Sequence, residues 1–365
     1  MQRARWMRLE TFVLVAMIGG GLTAFDTANT AQEAQSATRQ GQPSGRVLLY
    51  YDMEGASGID EGRMFDSRQA AAFDSGRRHL ASDVNAVIDG LFEGGTTGVD
   101  VFNTHGGGGD TLVPRALLDA RARIISRRGP RVGYDPDNGL ADSGYIAAVS
   151  IAAHDKPQSG GFSPHTVTIG TTPVINGRGL TETDLLAYAI GTGGVPLIMA
   201  SGDDVLGRSL RATMPWIEYV AVKRSTPATV ELRPTAQVRA ELRAAALRAM
   251  HVLRSTKRMQ AMRLTPPIRA GLLPSFPAWL YPTMADLPGI ERRGDTVYFS
   301  AGDYRTAYRG TRLLSDLASA SAEGYMIDIL RRTPEARRLL REANDSVASQ
   351  WQAFENGTWK PPRPY

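Results

Sequence analysis

Four apolar runs in this chain end in polar or glycine-rich clusters: RVLLYY before DMEGASG, GVDVF before NTHGGGGD, AAVSIAA before HDKPQSGG, and VPLIMA before SGDD. Short continuous runs closed by turn residues are the pattern of strands buried on both faces. Between the first two lies Ser67 to Phe92, where Leu80, Val84, Val87, Ile88 and Leu91 recur at helix spacing before EGG stops the helix. Parallel strands need such crossovers, so the alternation predicts an α/β fold with a mostly parallel sheet flanked by helices. It continues through the hairpin-like HTVTIGTTPVING and the helix ETDLLAYAIG. In sheets of this type ligands bind beyond the carboxyl ends of the strands, which is where the polar clusters fall.

The pattern changes after about residue 230. A long Ala/Arg/Leu helix runs through Met250, followed by the Pro-rich TPPIRAGLLPSFPAWLYP, the strand TVYFSAG and a helix from Tyr304. We read 45–230 as the α/β catalytic domain, 231–330 as a smaller α+β portion and 331–365 as a C-terminal helical tail. In that tail Leu339, Leu340, Val347 and Trp351 share one side and Gly357 closes the helix. Residues 32–44 read as a flexible lead-in without apolar periodicity. Ahead of it, Arg3, Arg5 and Arg8 precede the apolar stretch Thr11 to Ala24, the form of a secretory signal peptide spanning 1–31. That stretch falls short of the ~20 residues a spanning helix needs, and Gly19, Gly20 and Gly21 weaken it further. The expectation is a periplasmic or secreted protein with no stable membrane insertion once the leader is cleaved; an uncleaved anchor is the alternative.

Composition narrows the chemistry. The chain has 365 residues, 42% of them apolar, and no cysteine. Disulfides, thiolate ligands and a cysteine nucleophile are therefore excluded, and a bound metal must be held by His, Asp and Glu. The net charge of +5 comes almost wholly from arginine, without a basic run interleaved with aromatics or a nucleic-acid-binding signature. No nucleic-acid partner is expected. The glycines at 106–109 lack the GK[ST] of a phosphate loop, so they read as close backbone approach.

Asp52 and Glu54 sit one residue apart after the first strand, and if that strand continued through them both would face the same way. Two like charges there call for a positive group between them. Of only five histidines, His105 and His154 end the second and third runs and His165 lies just beyond, whereas His79 and His251 do not. If those strands are adjacent, Asp52, Glu54, His105 and His154 meet at one crevice, and that donor mixture suits zinc. Glu182, at the start of ETDLL, reads equally well as a favourable charge at a helix N-terminus. Asp203 and Asp204 read as capping residues.

DMEG after the first strand, a His ending the second, two histidines separated by ten residues, an N-G-R loop leading to Glu182, and GDD after an apolar strand together resemble the zinc-dependent D-aminopeptidases of peptidase family M55. The likeness runs from about Arg46 to Lys223 and more faintly to about Ala318. It implies two zinc ions per chain, with Asp52 bridging, Glu54 and His105 completing one position, and His154 and Glu182 the other. It assigns His165 as the catalytic residue. Asn103 and Pro164 depart from the family pattern, which has aspartate and serine there. The implied activity is removal of the N-terminal residue of short, D-amino-acid-containing peptides by a hydroxide bridging the metals. A homo-oligomer, a decamer in some members, is implied as well. The alternatives from the residues themselves are a secreted binding protein without catalysis and a metal-dependent hydrolase of another amide or ester.

Overall fold

The computed structural model describes residues 45–106, 112–125, 133–138, 144–256, 258–275 and 287–358. The leader, the lead-in and residues 359–365 of the tail lie outside them. The chain forms two units, Met1–Gln42 and Pro43–Tyr365, and the fold that follows is that of the second. Its first four strands are β1 (Arg46–Tyr51), β2 (Gly98–Asn103), β3 (Ala122–Ile124) and β4 (Ala147–Ala153). With β7 (Leu197–Asp203), β8 (Glu218–Ser225) and β9 (Val230–Leu232) they build one sheet in the order β3-β2-β1-β4-β7-β8-β9. All its pairings are parallel except β8 with β9. The sheet is the one expected from the apolar runs.

Side chains alternate across β1. Val47, Leu49 and Tyr51 join a core with helix α1 (Ala70–Glu93), while Leu48 and Tyr50 join a core with helix α2 (Glu182–Gly191). Both faces of the strand are dry, which is why its sequence is a continuous apolar run rather than an alternating one. Helix α3 (Asp204–Thr213) adds Leu206 and Leu210 to the second core.

The expected boundary near residue 230 is crossed in both directions. Helix α4 (Thr235–Ser255) returns to the first core, laying Val238, Leu242, Ala245 and Ala249 beside α1. In exchange, β5 (Thr171–Ile175) and β6 (Arg178–Gly179) leave the main sheet for a second one, in the order β11-β12-β10-β5-β6. Its other members are β10 (Ile268–Pro274), β11 (Glu291–Arg293) and β12 (Thr296–Ala301), all antiparallel. The β5–β6 hairpin turns on Asn176 and Gly177, both with positive φ (50° and 82°), the Asn-Gly chemistry of a tight two-residue turn. Helix α5 (Tyr304–Leu330) covers this sheet, and the tail helix α6 (Pro334–Glu355) ends at Gly357, whose φ is +67°. No helix among the described residues is long and apolar enough to cross a membrane.

Two features of this topology position a site. Strand order reverses between β1 and β4, because the chain proceeds outward through β2 and β3 before returning to the other side of β1. Such a reversal opens a crevice at the carboxyl end of the sheet. Helix α5 and the segments at 133–135 and 165–169 then supply walls above it.

Candidate metal centre

Strand β1 ends at Tyr51, and the chain turns at once, Ala56 N donating to Met53 O at 3.1 Å. Asp52 and Glu54 therefore do not share a face as alternate strand residues would. The turn brings them together instead: His105 Nδ1 lies 3.3 Å from Asp52 Oδ1 and 3.1 Å from Glu54 Oε2. The turn is clamped to β4 by Asp52 N donating to Ile151 O (2.9 Å) and Gly55 N to Ala152 O (2.8 Å). A Cβ at position 55 would stand 2.0 Å from Ala153 O, so only glycine permits this approach. Ala152 itself has φ of 59°, at a register shift between β4 and β7, and its N–H is held by Ser201 Oγ at 3.0 Å. A strained, bulged strand end of this kind is a device for aiming the next side chain. Here that side chain is His154, whose Nε2 lies 3.2 Å from Asp52 Oδ2 and 3.7 Å from Glu182 Oε1.

Each histidine has one ring nitrogen fixed by a backbone carbonyl. His105 Nε2 is 3.1 Å from Phe65 O, His154 Nδ1 is 3.0 Å from Asp155 O, and His165 Nδ1 is 2.9 Å from Ser163 O. A carbonyl only accepts, so each of these nitrogens carries the hydrogen, and in the neutral ring the other nitrogen presents its lone pair. That is the tautomer a metal ligand needs. Asn103, where the family pattern has aspartate, accepts through Oδ1 from His105 N at 3.0 Å and donates through Nδ2 to His105 O at 3.3 Å, the second a bond a carboxylate would not make. Glu182 opens α2 and accepts from Tyr134 Oη (2.5 Å) and Val167 N (2.7 Å). His165 stacks on His154 with ring centroids 4.0 Å apart, and its N–H is held by Asp155 O at 3.0 Å, a backbone bond that Pro164 does not disturb.

The structure thus gathers all six residues singled out in the sequence, Asp52, Glu54, His105, His154, Glu182 and His165. Their donor atoms form two sets that share Asp52: Asp52, Glu54 and His105, and Asp52, His154 and Glu182, each within 4.8 Å. A third set, Glu54, His154 and His165, satisfies the same limit. Asp203 and Asp204 stay outside. Asp203 caps α3 through Leu206 N (2.8 Å) and also accepts from Phe162 N, while Asp204 accepts from Ser225 N at 2.8 Å.

The electrostatics are those of a site made for a cation. Burial opposes charge on both histidines, but hydrogen bonds to Asp52 and Glu54 push His105 up to about 11. The nearby Asp52 carboxylate and the Glu182 charge push His154 up to about 10. Burial likewise works against an ionised Asp52, yet the two imidazoles hold its pKa well below the ordinary value. His154 Nε2 is buried and makes no well-formed hydrogen bond despite its carboxylate neighbours, an arrangement that fits a ligand poised for an ion better than a finished ion pair. The metal-free protein should therefore hold protons on both histidines at neutral pH, and a metal must displace them. Stability from these histidine–carboxylate pairs is full below the ordinary histidine pKa and fades as pH rises through about 10 and about 11. Calorimetric zinc titrations at pH 7 in buffers of differing ionisation enthalpy should report release of about two protons per chain.

Two supports were not recognised in the sequence. Lys223, on β8, is fully buried and donates through Nζ to Glu54 O (2.7 Å) and Ile59 O (2.6 Å) beneath the Phe162 ring. Loss of hydration pulls its pKa down to about 7, against the opposing pull of Asp203, Asp83 and Glu54. Phe162 in turn meets Phe65 edge-on, and Phe65 contacts the His105 ring. Tyr134, the second support, anchors Glu182. The centre opens into a cavity of about 770 Å³, whose wall includes Tyr134, Asp135, Ile169 and, from α5, Tyr308, Arg309, Arg312 and Leu313.

Comparison with known proteins agrees with this geometry. Residues 46–313 match the model of the peptidase M55 family, described as D-aminopeptidase. The D-aminopeptidase of Bacillus subtilis (strain 168) is 27% identical over 281 residues, covering 75% of this chain and 97% of the relative. The solved structure of the Zn-dependent D-aminopeptidase DppA from Bacillus subtilis, a self-compartmentalizing protease, shares the fold with a TM-score of 0.66 at 23% identity, covering 75% of this chain and 98% of that one.

Proposed function

The chain belongs to the M55 family of D-aminopeptidases, and from that premise we propose that it is an exported aminopeptidase with two zinc ions per chain that removes the N-terminal residue of short peptides containing D-amino acids. The observation that carries the proposal is the pair of donor sets sharing Asp52, with His154 Nε2 buried and without a well-formed hydrogen bond. Three carboxylates and two imidazoles are a hard and borderline donor mixture suited to zinc. In the proposed centre Glu54 and His105 hold one ion, His154 and Glu182 the other, and Asp52 both. Zinc held there would activate water and polarise the scissile carbonyl.

The remaining work falls to the chain. Phe65 O, Asp155 O, Tyr134 and Lys223 fix the ligands in orientation, so the centre does not reorganise when substrate enters. His165 is half-buried at the cavity wall, with Nδ1–H committed to Ser163 O and Nε2 left to exchange a proton with the reacting groups. A free α-amine in its neutral form would be an acceptable further ligand at such a centre, which favours cleavage at the N-terminus.

The family relative described as self-compartmentalizing supports a homo-oligomer here as well, a decamer being the expected size. Ile169 and Leu313, 81% and 61% exposed at the cavity mouth, would be covered in such an assembly. Export rests on the leader-like residues 1–31. The test of the activity is hydrolysis of D-alanyl and L-alanyl p-nitroanilides by the zinc-loaded protein. Turnover of the D form well above the L form is expected. Hydrolysis of neither would overturn the proposal, and equal hydrolysis of both would overturn the D preference.

A further inference from the structure

The cavity is polarised. Its floor carries Asp52, Glu54 and Glu182, and its α5 wall carries two arginines, Arg309 and Arg312. The two arginines are not equivalent. Arg309 is engaged by two carboxylates: Nε donates to Asp135 Oδ2 (2.9 Å), and Nη2 reaches Asp135 Oδ1 (3.1 Å) and Asp137 Oδ2 (2.7 Å). It ties the 133–138 segment, and with it Tyr134, to α5. Arg312 has one carboxylate, Asp316, which accepts from Nη2 at 2.9 Å. Its Nη1 is buried and has no hydrogen-bond partner among the described residues.

An unpaired guanidinium N–H in a buried position is costly, and a planar two-pronged donor suits a carboxylate. The side chain as a whole is 31% exposed and lines the cavity, so a turn of the guanidinium towards the cavity would bring Nη1 to a ligand there. Arg312 also borders a small apolar crevice lined by Val167, Tyr308 and Thr311.

We propose that Arg312 anchors the free C-terminal carboxylate of the substrate, so that the enzyme acts on short, unblocked peptides held between the metal centre at one end and this guanidinium at the other. This rests on the aminopeptidase reading above and adds the substrate class. A long polypeptide or a C-terminally blocked peptide places no carboxylate at this distance from its N-terminus and forgoes the contact.

The experiment compares D-alanylglycine, D-alanylglycinamide and D-alanyl p-nitroanilide on the zinc-loaded wild type, Arg312→Met and Arg312→Lys. Wild type should favour the free acid over the amide by about tenfold to a hundredfold in kcat/KM, the size of a charge-assisted hydrogen bond. Arg312→Met should erase that preference, chiefly through KM, and leave the amide and the anilide within about twofold of wild type. Retained anilide turnover shows that the variant is folded; if it is not, Arg312→Lys, which keeps the charge but loses the fork, should retain only part of the preference. Equal wild-type rates on acid and amide, or an equal fall on both in Arg312→Met with anilide turnover intact, would overturn the proposal. Failure of wild type on the anilide as well would overturn the aminopeptidase reading itself.

Discussion

Asp52→Ala should leave the protein folded, with zinc reduced from two ions per chain to none and turnover at background. Asp52 alone belongs to both principal donor sets, so its removal takes one ligand from each and leaves Glu54–His105 and His154–Glu182 as separate pairs. Losing a partner that merely orients a ligand lowers metal affinity or activity by about 10–100-fold; losing a shared ligand should exceed that at both positions. The same change removes a main counter-charge of His105 and His154, whose pKa values should fall. Asp52→Asn keeps the shape without the charge and should also lose metal. An Asp52→Ala protein that still held two zinc ions would show that the aspartate does not bridge.

His165→Ala should behave in the opposite way, keeping both zinc ions while kcat falls by about 10²–10⁴-fold, the usual worth of a positioned acid–base group. The geometry makes this a discriminating experiment, because His165 also meets Glu54 and His154 within the distance a metal would need. If the variant binds one zinc fewer, His165 is a ligand and the division of donors between the two positions must be redrawn. If it keeps both ions and wild-type turnover, the proton is moved by another group. The His154 ring stacks on His165, so a small shift of His154 in the variant is expected and should be checked in its metal-bound state.

Most of the main sheet was legible because β1, β2, β4 and β7 are buried on both faces and announce themselves as largely apolar runs closed by turn residues. The runs themselves brought Asp52, Glu54, His105 and His154 to one crevice, whereas Glu182 and His165 were singled out through the family resemblance. Asp52 and Glu54 were correctly taken as a pair, but through a turn rather than a continuing strand, and the hydrogen bonds of Gly55 and Ala152 that make the turn are tertiary. The pairing of β5 with β10 was not legible, since neither strand carries a signal naming a partner so far away in sequence. Lys223 looked like an ordinary charge near a strand end; only the carbonyls of Glu54 and Ile59 above it give it a buried place. Arg309 and Arg312 carried no signal in the helix from Tyr304; only the 133–138 segment and the cavity give them a place. Tyr134, in a loop of Gly, Asp and Pro, had no pattern at all.

The central claim is that one aspartate is shared between two metal positions. It is tested most directly by anomalous diffraction at the zinc absorption edge from crystals of the zinc-loaded protein. Two peaks flanking the Asp52 carboxylate are predicted, one beside Glu54 and His105 and the other beside His154 and Glu182. A single peak, or two peaks of which only one contacts Asp52, would contradict it.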